Sequence, residues 1–329
     1  MDTSRSLELE SFPADRIAVS FIIASWNSRH YLDPCLASIL AAGCGRIEII
    51  VVDNASSDGT PKLLQDKYPQ AFLLANTRNE GHCHAINQGI EVARGRYLMV
   101  LDADTVLDPD AVSRLVDFLN QHQEAAIAAP RMLNPDGSIQ ETARSFPTVM
   151  NGILGRQSVL TRFFSNSKFV ERYMRRDRLD SLLPFEVDWV SAACMIFRRS
   201  LPNRIGLWDE AFKGYWVDAD WCRAAHRAGK VWCVPAARVI HYEQNRSGRK
   251  KGSKRIILFH SGAYRFYRKL HNIGLLNPRS IVAASVLGLR ALALLAIDLL
   301  RRRQRESRVY TAPGARRYAH QPRNPGHQG

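Results

Sequence analysis

Short apolar runs alternate with helix-length segments in the first third of the chain, and this alternation constrains the fold more than any other feature. Three runs rich in β-branched or aliphatic residues lie at residues 18–23, 47–52 and 97–101. Such runs, separated by helical stretches, are typical of βαβ units with parallel strands covered on both faces. Thr60 and Asp108 each precede a proline, as residues that open helices do. We therefore predict an α/β fold with a mostly parallel central sheet and flanking helices.

Two carboxylates directly follow the third apolar run. Asp102 and Asp104 are spaced i, i+2, which in an extended chain places both side chains on one side of the backbone. Open α/β sheets bind ligands at the carboxyl ends of their strands. Two carboxylates there suit a hard divalent cation that takes further ligands from a diphosphate. The alternative is a solvated turn, because this spacing is common by chance.

The first two apolar runs also end in residues that can bind a nucleoside. The carboxylate of Asp53 can accept a hydrogen bond from the ring N–H of uracil or thymine, although residues 54–58 can also form a simple Asx-turn. Ser25 and Trp26 end the first run, and Trp26 is either a core residue or a surface on which a base stacks. The three strand ends are predicted to converge.

The charge balance indicates an anionic partner. The 329 residues include 46 Lys and Arg against 31 Asp and Glu, a formal net charge of +15. The partner can be nucleic acid, acidic lipid headgroups or a phosphate-bearing substrate, and the net charge does not choose among them. Nucleic-acid binding is the weaker alternative, because the positive charge concentrates after Asn245, beside an apolar helix, and no known binding module is present. A dinucleotide-dependent oxidoreductase is also disfavoured, because Ser25–Ser28 stands where a G-x-G-x-x-G motif would be.

Both the N-terminus and the cysteines predict a cytoplasmic location. Residues 1–15 are polar, with no apolar signal segment, and are predicted to be flexible. The six cysteines are scattered without a C-x-x-C pair, which favours reduced thiols.

The C-terminal region, residues 249–305, is predicted to be a basic and apolar helical extension. Its apolar run, Ile281–Leu300, is about long enough to span a bilayer. Arg290 and Asp298 disfavour a simple transmembrane helix, because a charge at the centre of such a helix costs about 2.5–3.5 kcal/mol. Packing on the α/β domain and attachment to an anionic membrane surface, helped by the basic residues 301–303, remain as alternatives. Residues 306–329 are predicted to be a disordered tail.

Several ordered motifs between Ile17 and Ser247 resemble glycosyltransferase family 2, the inverting enzymes of the GT-A fold, and especially its bacterial rhamnosyltransferase-like branch. The matching stretches are residues 20–27, 49–59, 79–81 with 87–89, 101–105, 133–137, 187–190 and 208–229. The resemblance implies a Rossmann-like GT-A domain over residues 16–248. It also implies a nucleotide-sugar donor and a saccharide or lipid-linked acceptor of the cell envelope. Peripheral attachment to the inner face of the cell membrane follows as an expectation.

The same resemblance assigns roles to individual residues. It implies that the nucleoside is held by Ser25, Trp26, Asp53, Asn79 and Gly81. It implies that Asp102 lies at the ribose and diphosphate, and that Asp104 and His241 bind Mg²⁺ or Mn²⁺. Arg246 and Ser247 are candidate diphosphate contacts, with a solvated basic run as the alternative.

The proposed base lies in the stretch Tyr215–Cys222. Asp218 aligns with the general base of the family, while Asp220 and Trp189 align with positions at the acceptor. A helix is predicted from Asp218 to Gly229, so both aspartates can equally be helix-capping residues. A single displacement with Asp218 as base is the implied reaction.

Three departures from the family pattern affect the acceptor and sugar pocket more than the reaction. Val217 replaces an acidic residue, His82 an aromatic residue and Ala192 a glycine. The family branch makes dTDP-rhamnose the first expectation for the donor, followed by a UDP-hexose or a galactofuranose donor.

Overall fold

The computed structural model describes residues 17–43, 45–147, 173–178, 180–243 and 252–310. The first third of these residues forms the predicted βαβ units. Four parallel strands and three helices alternate, and they are β1 Val19–Ser25, α1 Arg29–Ala41, β2 Ile47–Asp53, α2 Thr60–Lys67, β3 Phe72–Ala75, α3 His82–Val92 and β4 Tyr97–Asp102. All three predicted strands are therefore present, and their carboxyl ends lie side by side.

The rest of the catalytic domain completes a mixed sheet. Its elements are β5 Thr105–Leu107, α4 Ala111–Gln121, β6 Ala125–Leu133, β7 Ala143–Arg144, a 3₁₀ turn at Arg176–Arg178, β8 Phe185–Val187, β9 Trp189–Val190, β10 Cys194–Arg198, α5 Leu201–Ile205, α6 Val217–Ala225 and β11 Lys230–His241. The strand order is β3-β2-β1-β4-β10-β6-β11-β5, with β8 beside β11. Strand β10 runs antiparallel to both neighbours, so the sheet is parallel only up to β4 and between β6 and β11. Buried antiparallel strands have the same apolar pattern as parallel ones, so the sequence did not distinguish them.

The core lies on both faces of the sheet. Along β1, Phe21 faces the cluster that includes α1 and α4, whereas Ile22 faces the cluster that includes α3 and α6. This alternation follows from the two-residue period of a strand. Burial on both faces explains why β1, β2 and β4 are continuous apolar runs.

Helix boundaries differ from the predictions by a few residues. Thr60 is the first residue of α2, and Gly59, with a positive φ, precedes it as N-cap. Helix α6 begins at Val217 and ends at Ala225, four residues before Gly229. Helix ends depend on local geometry that propensity does not capture.

Two helices, α7 Ser253–Leu270 and α8 Pro278–Tyr310, form the C-terminal hairpin. Helix α7 packs on the catalytic domain through Phe266, which is buried and stacks on Trp216 with ring centroids 5.5 Å apart. Helix α8 packs on α7 and continues through Tyr310, past the predicted boundary at residue 305.

Most residues of α8 between Pro278 and Leu300 are exposed. Its segment Pro278–Leu300 is long and apolar enough to cross a membrane by length and composition, and only 6% of the window is buried. Arg290 and Asp298 are half-buried and line a cavity on the inward side of the helix. The charges that disfavoured a simple transmembrane helix in the sequence therefore lie away from the apolar outer face.

Candidate active site

A carboxylate–histidine cluster lies where β4 meets β5. Strand β5 pairs antiparallel with the end of β11, so that Thr105 is opposite His241. This pairing places His241 Nε2 3.4 Å from Asp104 Oδ1 and 3.8 Å from Asp102 Oδ2. Ligand atoms of the three residues lie within 4.8 Å of one another. The structure thus brings together the residues predicted to hold the diphosphate and its metal.

Gln140 orients the histidine ring. Its Oε1 lies 3.0 Å from His241 Nδ1, and its Nε2 donates to the His241 carbonyl at 2.7 Å and to Asn134 Oδ1 at 2.8 Å. Gln140 Oε1 can only accept a hydrogen bond, so His241 Nδ1 must donate to it. This contact fixes the ring with Nε2 directed at the two carboxylates. A histidine that ligates a metal is held in the same way through its other nitrogen. The sequence did not predict this role for Gln140.

The electrostatics of the cluster favour a bound positive charge. Burial raises the pKa of Asp102, and the charge of Asp104 adds to this, whereas His82 and His241 oppose it. Burial alone would lower the pKa of His241, but the hydrogen bond to Asp104 and the two negative charges raise it overall. The site therefore attracts either a proton on His241 or a cation shared by the three groups.

The ends of β1 and β2 form a second polar site. Ser25 and Asp53 are opposite each other in the strand register, and both are buried. Asp53 Oδ2 accepts a hydrogen bond from the Ser56 backbone N–H at 2.9 Å. Asp53 Oδ1 and Ser25 Oγ are buried and have no hydrogen-bond partner among the described residues. Trp26, the residue after Ser25, is 50% exposed.

The loop before α3 closes over the end of β2. Gly81 has a φ of +98°, a conformation that favours glycine. Its N–H donates to Asn79 Oδ1 at 3.0 Å, and its carbonyl accepts from Asn54 Nδ2 at 3.3 Å. Asn79 and Gly81 thus shape this loop, next to the buried Asp53. The sequence did not predict the part played by Asn54.

Asp218 lies in the first turn of α6, at the wall of a cavity of about 1240 Å³. Asp102 lines the same cavity, so the predicted base and the predicted diphosphate site face one space. Burial raises the pKa of Asp218, against the hydrogen bond from the Ala219 N–H and the charge of Arg144. Trp216 precedes the helix with a φ of +71°, a strained conformation for a bulky residue, and it also lines the cavity.

Trp189 also lines this cavity, and the chain fixes its ring from two sides. Its Nε1 donates to the Ser145 carbonyl at 2.9 Å, and the guanidinium of Arg144 lies 4.8 Å from the ring centroid. Arg144 lines the cavity too. It comes from the two-residue strand β7, which has no periodic signal, and the sequence did not predict it.

Asp220 does not line the cavity, although the sequence predicts it at the acceptor. It is buried, with Oδ1 2.9 Å from Arg223 and Oδ2 2.5 Å from Lys269 of α7. Lys269 also contacts Asp209. Residues two positions apart on a helix do not share a face. Asp218 faces the cavity, so Asp220 points away from it and towards α7. Its contacts indicate that it anchors the C-terminal hairpin to the catalytic domain.

We expect Asp220→Asn to destabilise the protein. Removing one member of a buried ion pair costs about 3 kcal/mol, which in a protein of this size lowers the melting temperature by roughly 4–6 °C. Asp66→Asn, which removes the same charge from the exposed surface of α2, should leave the melting temperature unchanged. An unaltered melting temperature together with a raised KM for the acceptor would instead restore the acceptor role.

Arg246 and Ser247 lie outside the described residues.

Comparison with known proteins supports the resemblance drawn from the sequence. The family model for "Glycosyl transferase family 2" matches residues 20–205. N-acetylglucosaminyl-diphospho-decaprenol L-rhamnosyltransferase of Mycobacterium tuberculosis is 28% identical over 305 residues, covering 88% of this chain and 96% of that protein. Poly-beta-1,6-N-acetyl-D-glucosamine synthase of Staphylococcus epidermidis is 27% identical over 63% of this chain and 45% of its own length.

Solved structures share the fold. The crystal structure of S. aureus TarS 1-349 aligns with a TM-score of 0.52 at 15% identity, covering 82% of this chain and 69% of that one. GalNAc-T7, crystallised with UDP, GalNAc and Mn²⁺, aligns with a TM-score of 0.54 at 16% identity, covering 82% of this chain and 51% of that one. The predicted fold class is confirmed.

Proposed function

The chain belongs to glycosyltransferase family 2, and from this premise we propose that it transfers rhamnose from dTDP-rhamnose to a lipid-linked saccharide of the cell envelope. The observation that carries the proposal is that Asp218 and Asp102 line one cavity. The choice of sugar and acceptor rests on the mycobacterial rhamnosyltransferase, whose name specifies both and which the chain matches over nearly its whole length.

The proposed reaction is a single displacement with inversion. Asp218 accepts the proton of an acceptor hydroxyl, and the oxygen attacks the anomeric carbon of the donor sugar. The bond from that carbon to the diphosphate breaks, and the nucleoside diphosphate leaves with the electron pair. Asp102 lies at the diphosphate, while Trp189 and Arg144 border the cavity beside Asp218 on the acceptor side. Arg246 and Ser247 stay candidate contacts of the diphosphate.

The cluster fits a divalent cation, because its two carboxylates and its oriented imidazole are ligands that such ions accept. We propose that Asp104 and His241 hold Mg²⁺ or Mn²⁺. When bound, the ion would neutralise charge that develops on the leaving diphosphate. Gln140 keeps His241 Nε2 directed at this position.

The donor base is proposed to bind at the end of β2. Asp53 Oδ1 can accept the ring N–H of uracil or thymine, and Trp26 offers an exposed face for stacking. Asn79 and Gly81 form the adjoining loop. This pattern suits dTDP and UDP sugars alike, so a UDP-hexose or galactofuranosyl donor is the alternative. Adenine and cytosine have no ring N–H at this edge, so they would leave the carboxylate unpaired and should be rejected.

A donor panel tests the proposal. With Mn²⁺ and a lipid-linked acceptor, dTDP-rhamnose should be consumed faster than UDP-glucose, UDP-galactofuranose or GDP-mannose. Faster consumption of either UDP sugar would move the assignment to the alternative donor. If the protein bound no nucleoside diphosphate in the presence of Mn²⁺, the proposed transferase function itself would be wrong.

The variant Asp53→Asn should weaken dTDP and UDP binding about 10–100-fold, because its amide N–H would face the N–H of the base. The amide oxygen can still accept from Ser56, so the loop is retained. Binding of ADP, whose base has no ring N–H at this edge, should not fall further. Isothermal titration with Mn²⁺ measures all three affinities, and equal loss for every nucleotide would show that Asp53 supports the fold rather than selecting the base.

We also propose that the protein acts at the inner face of the cell membrane through α8. Its outer face carries exposed apolar residues, including Leu289 and Leu292, while its charges Arg290 and Asp298 face inward. Apolar helix faces flanked by basic residues bind anionic bilayers.

Flotation tests the membrane proposal. Wild type should float with phosphatidylglycerol vesicles and should not be retained on DNA at the same salt concentration. Leu289→Asp with Leu292→Asp should reduce flotation, because each charge would enter the apolar interface. Leu182→Asp, at an exposed position outside the hairpin, is the matched control. Equal flotation of both variants would argue against α8 as the contact.

A further inference from the structure

The cavity that holds Asp218 continues along the C-terminal hairpin. Beyond Trp216 its wall is formed by α7 and α8, with apolar residues that include Phe259, Ala263 and Leu287. Val282 and Val286 line the cavity and are also exposed to solvent. The space therefore extends from the proposed base to the surface of α8, and its second half is largely apolar.

A buried histidine faces this apolar half. His260 is only 6% exposed and lines the cavity. Its Nδ1 donates to the Ile256 carbonyl at 2.7 Å, and its Nε2 is buried without a hydrogen-bond partner among the described residues. Burial lowers the pKa of His260, and the charge of nearby Arg290 lowers it further. The neutral ring therefore presents an acceptor that a ligand hydroxyl can satisfy.

Arg290 lines the same cavity from α8. A guanidinium within a long apolar helix is costly, and charges in such helices usually face a functional cavity. Arginine binds phosphate through charge-assisted, often bidentate, hydrogen bonds. Trp216 adds a third group, because its Nε1 is buried without a partner among the described residues. A donor, an acceptor and a cation thus line a channel whose wall is largely apolar and also includes Asp298.

From these contacts, and resting on the proposed function, we propose that the α7–α8 hairpin forms the binding site for the lipid of the acceptor. Arg290 binds the phosphate that joins lipid to sugar, His260 Nε2 accepts a hydroxyl of that sugar, and the aliphatic chain lies along Ala263, Ala283 and Leu287. The sugar then projects towards Asp218, and the chain leaves past Val282 and Val286 at the outer face of α8.

The chemistry of the cavity selects this occupant over the donor. The donor nucleoside is assigned to the end of β2, and its diphosphate to the carboxylate–histidine cluster, neither of which needs an apolar channel. An amphiphile with a phosphate between a sugar and a long chain combines the polar and apolar groups that line this cavity. A membrane phospholipid also carries phosphate and chains, so it is treated as a competing ligand in the test.

Binding of farnesyl diphosphate to the full chain in detergent tests the site. We expect wild type to bind it at least 10-fold more tightly than farnesol or inorganic diphosphate, because only the amphiphile uses both parts of the channel. Arg290→Met should lose at least 10-fold in affinity for farnesyl diphosphate, while Arg290→Lys should retain most of it. Arg204→Met, which removes an exposed charge outside the cavity, should have no effect.

A second pair of variants tests the channel without altering charge. Ala283→Trp fills the inner side of α8 and should weaken farnesyl diphosphate at least 10-fold, whereas Ala284→Trp, on the exposed side, should not. Equal affinity of all variants would overturn the proposal, as would competition by phosphatidylglycerol at the same concentration as farnesyl diphosphate. Binding of dTDP with Mn²⁺, measured on the same samples, separates the two ideas: if dTDP binds but the lipid probe does not, only the acceptor-lipid site is wrong.

Discussion

Asp218→Asn should lower kcat on a lipid-linked acceptor by about 10²–10⁴-fold, the usual contribution of a positioned general base. The asparagine is isosteric and can still accept the Ala219 N–H, so the start of α6 should be retained. Donor affinity should be unchanged, because the carboxylate acts on the acceptor hydroxyl. Initial rates at saturating donor, together with titration of dTDP, measure both quantities.

Asp220→Asn is the matched control for this experiment. It removes the same charge two residues further along α6, but its partners are Arg223 of the same helix and Lys269 of α7. Assayed below its melting temperature, it should keep a near wild-type kcat. Near wild-type turnover by Asp218→Asn would exclude Asp218 as the base.

The pH dependence provides an independent check on the base. Because burial raises the pKa of Asp218, kcat/KM should rise with pH through a value above that of an ordinary aspartate. The reaction needs the ionised form, so activity is lost as the pH falls through this pKa. In Asp218→Asn this acid limb should disappear from the residual rate.

The strand ends were the part of the site that the sequence predicted best. A residue at the carboxyl end of a buried parallel strand has one possible location, the edge of the sheet. This is why Ser25, Asp53 and Asp102 could be placed from apolar runs alone, and the structure has them on adjacent strands. His241 came from the family resemblance, and the pairing of β11 with β5 explains its location.

The residues that the sequence missed act through contacts between distant segments. Gln140 reaches His241 across 101 positions, and Arg144 comes from a strand of two residues. Neither belongs to a periodic pattern. Asp220 was assigned to the acceptor because it aligns with the second acidic position of the family, although the helical period separates it from Asp218 by about 200° and turns the two to different faces.

The charges of α8 are a second case in which the sequence composition does not show where side chains point. Counted along the sequence, Arg290 and Asp298 disfavour a simple transmembrane helix. Eight residues apart, they share one side of the helix, and both line the cavity there. Insertion scales apply to charges that meet lipid, so they do not describe a helix whose charges face inward.

Removing the divalent cation should reduce transfer by about 1000-fold, because Lewis-acid stabilisation of a leaving diphosphate is worth several kcal/mol. Chelator-treated protein should regain activity when Mn²⁺ or Mg²⁺ is added back. Asp104→Ala should lose activity at every metal concentration, since it removes a ligand of the cluster. Rates over a metal titration measure these outcomes.

Gln140→Leu distinguishes a metal site from a simple ion pair. It leaves all three ligands in place but releases His241 Nδ1, so the Mn²⁺ concentration for half-maximal activity should rise about 10–100-fold while the maximal rate is recovered. Asp66→Asn, on the exposed surface of α2, should need the same Mn²⁺ concentration as wild type for half-maximal activity. Full activity of chelator-treated wild type would contradict the metal role. In that case His241, whose pKa the same carboxylates raise, would be the positive charge of the cluster, and activity should fall as His241 loses its proton.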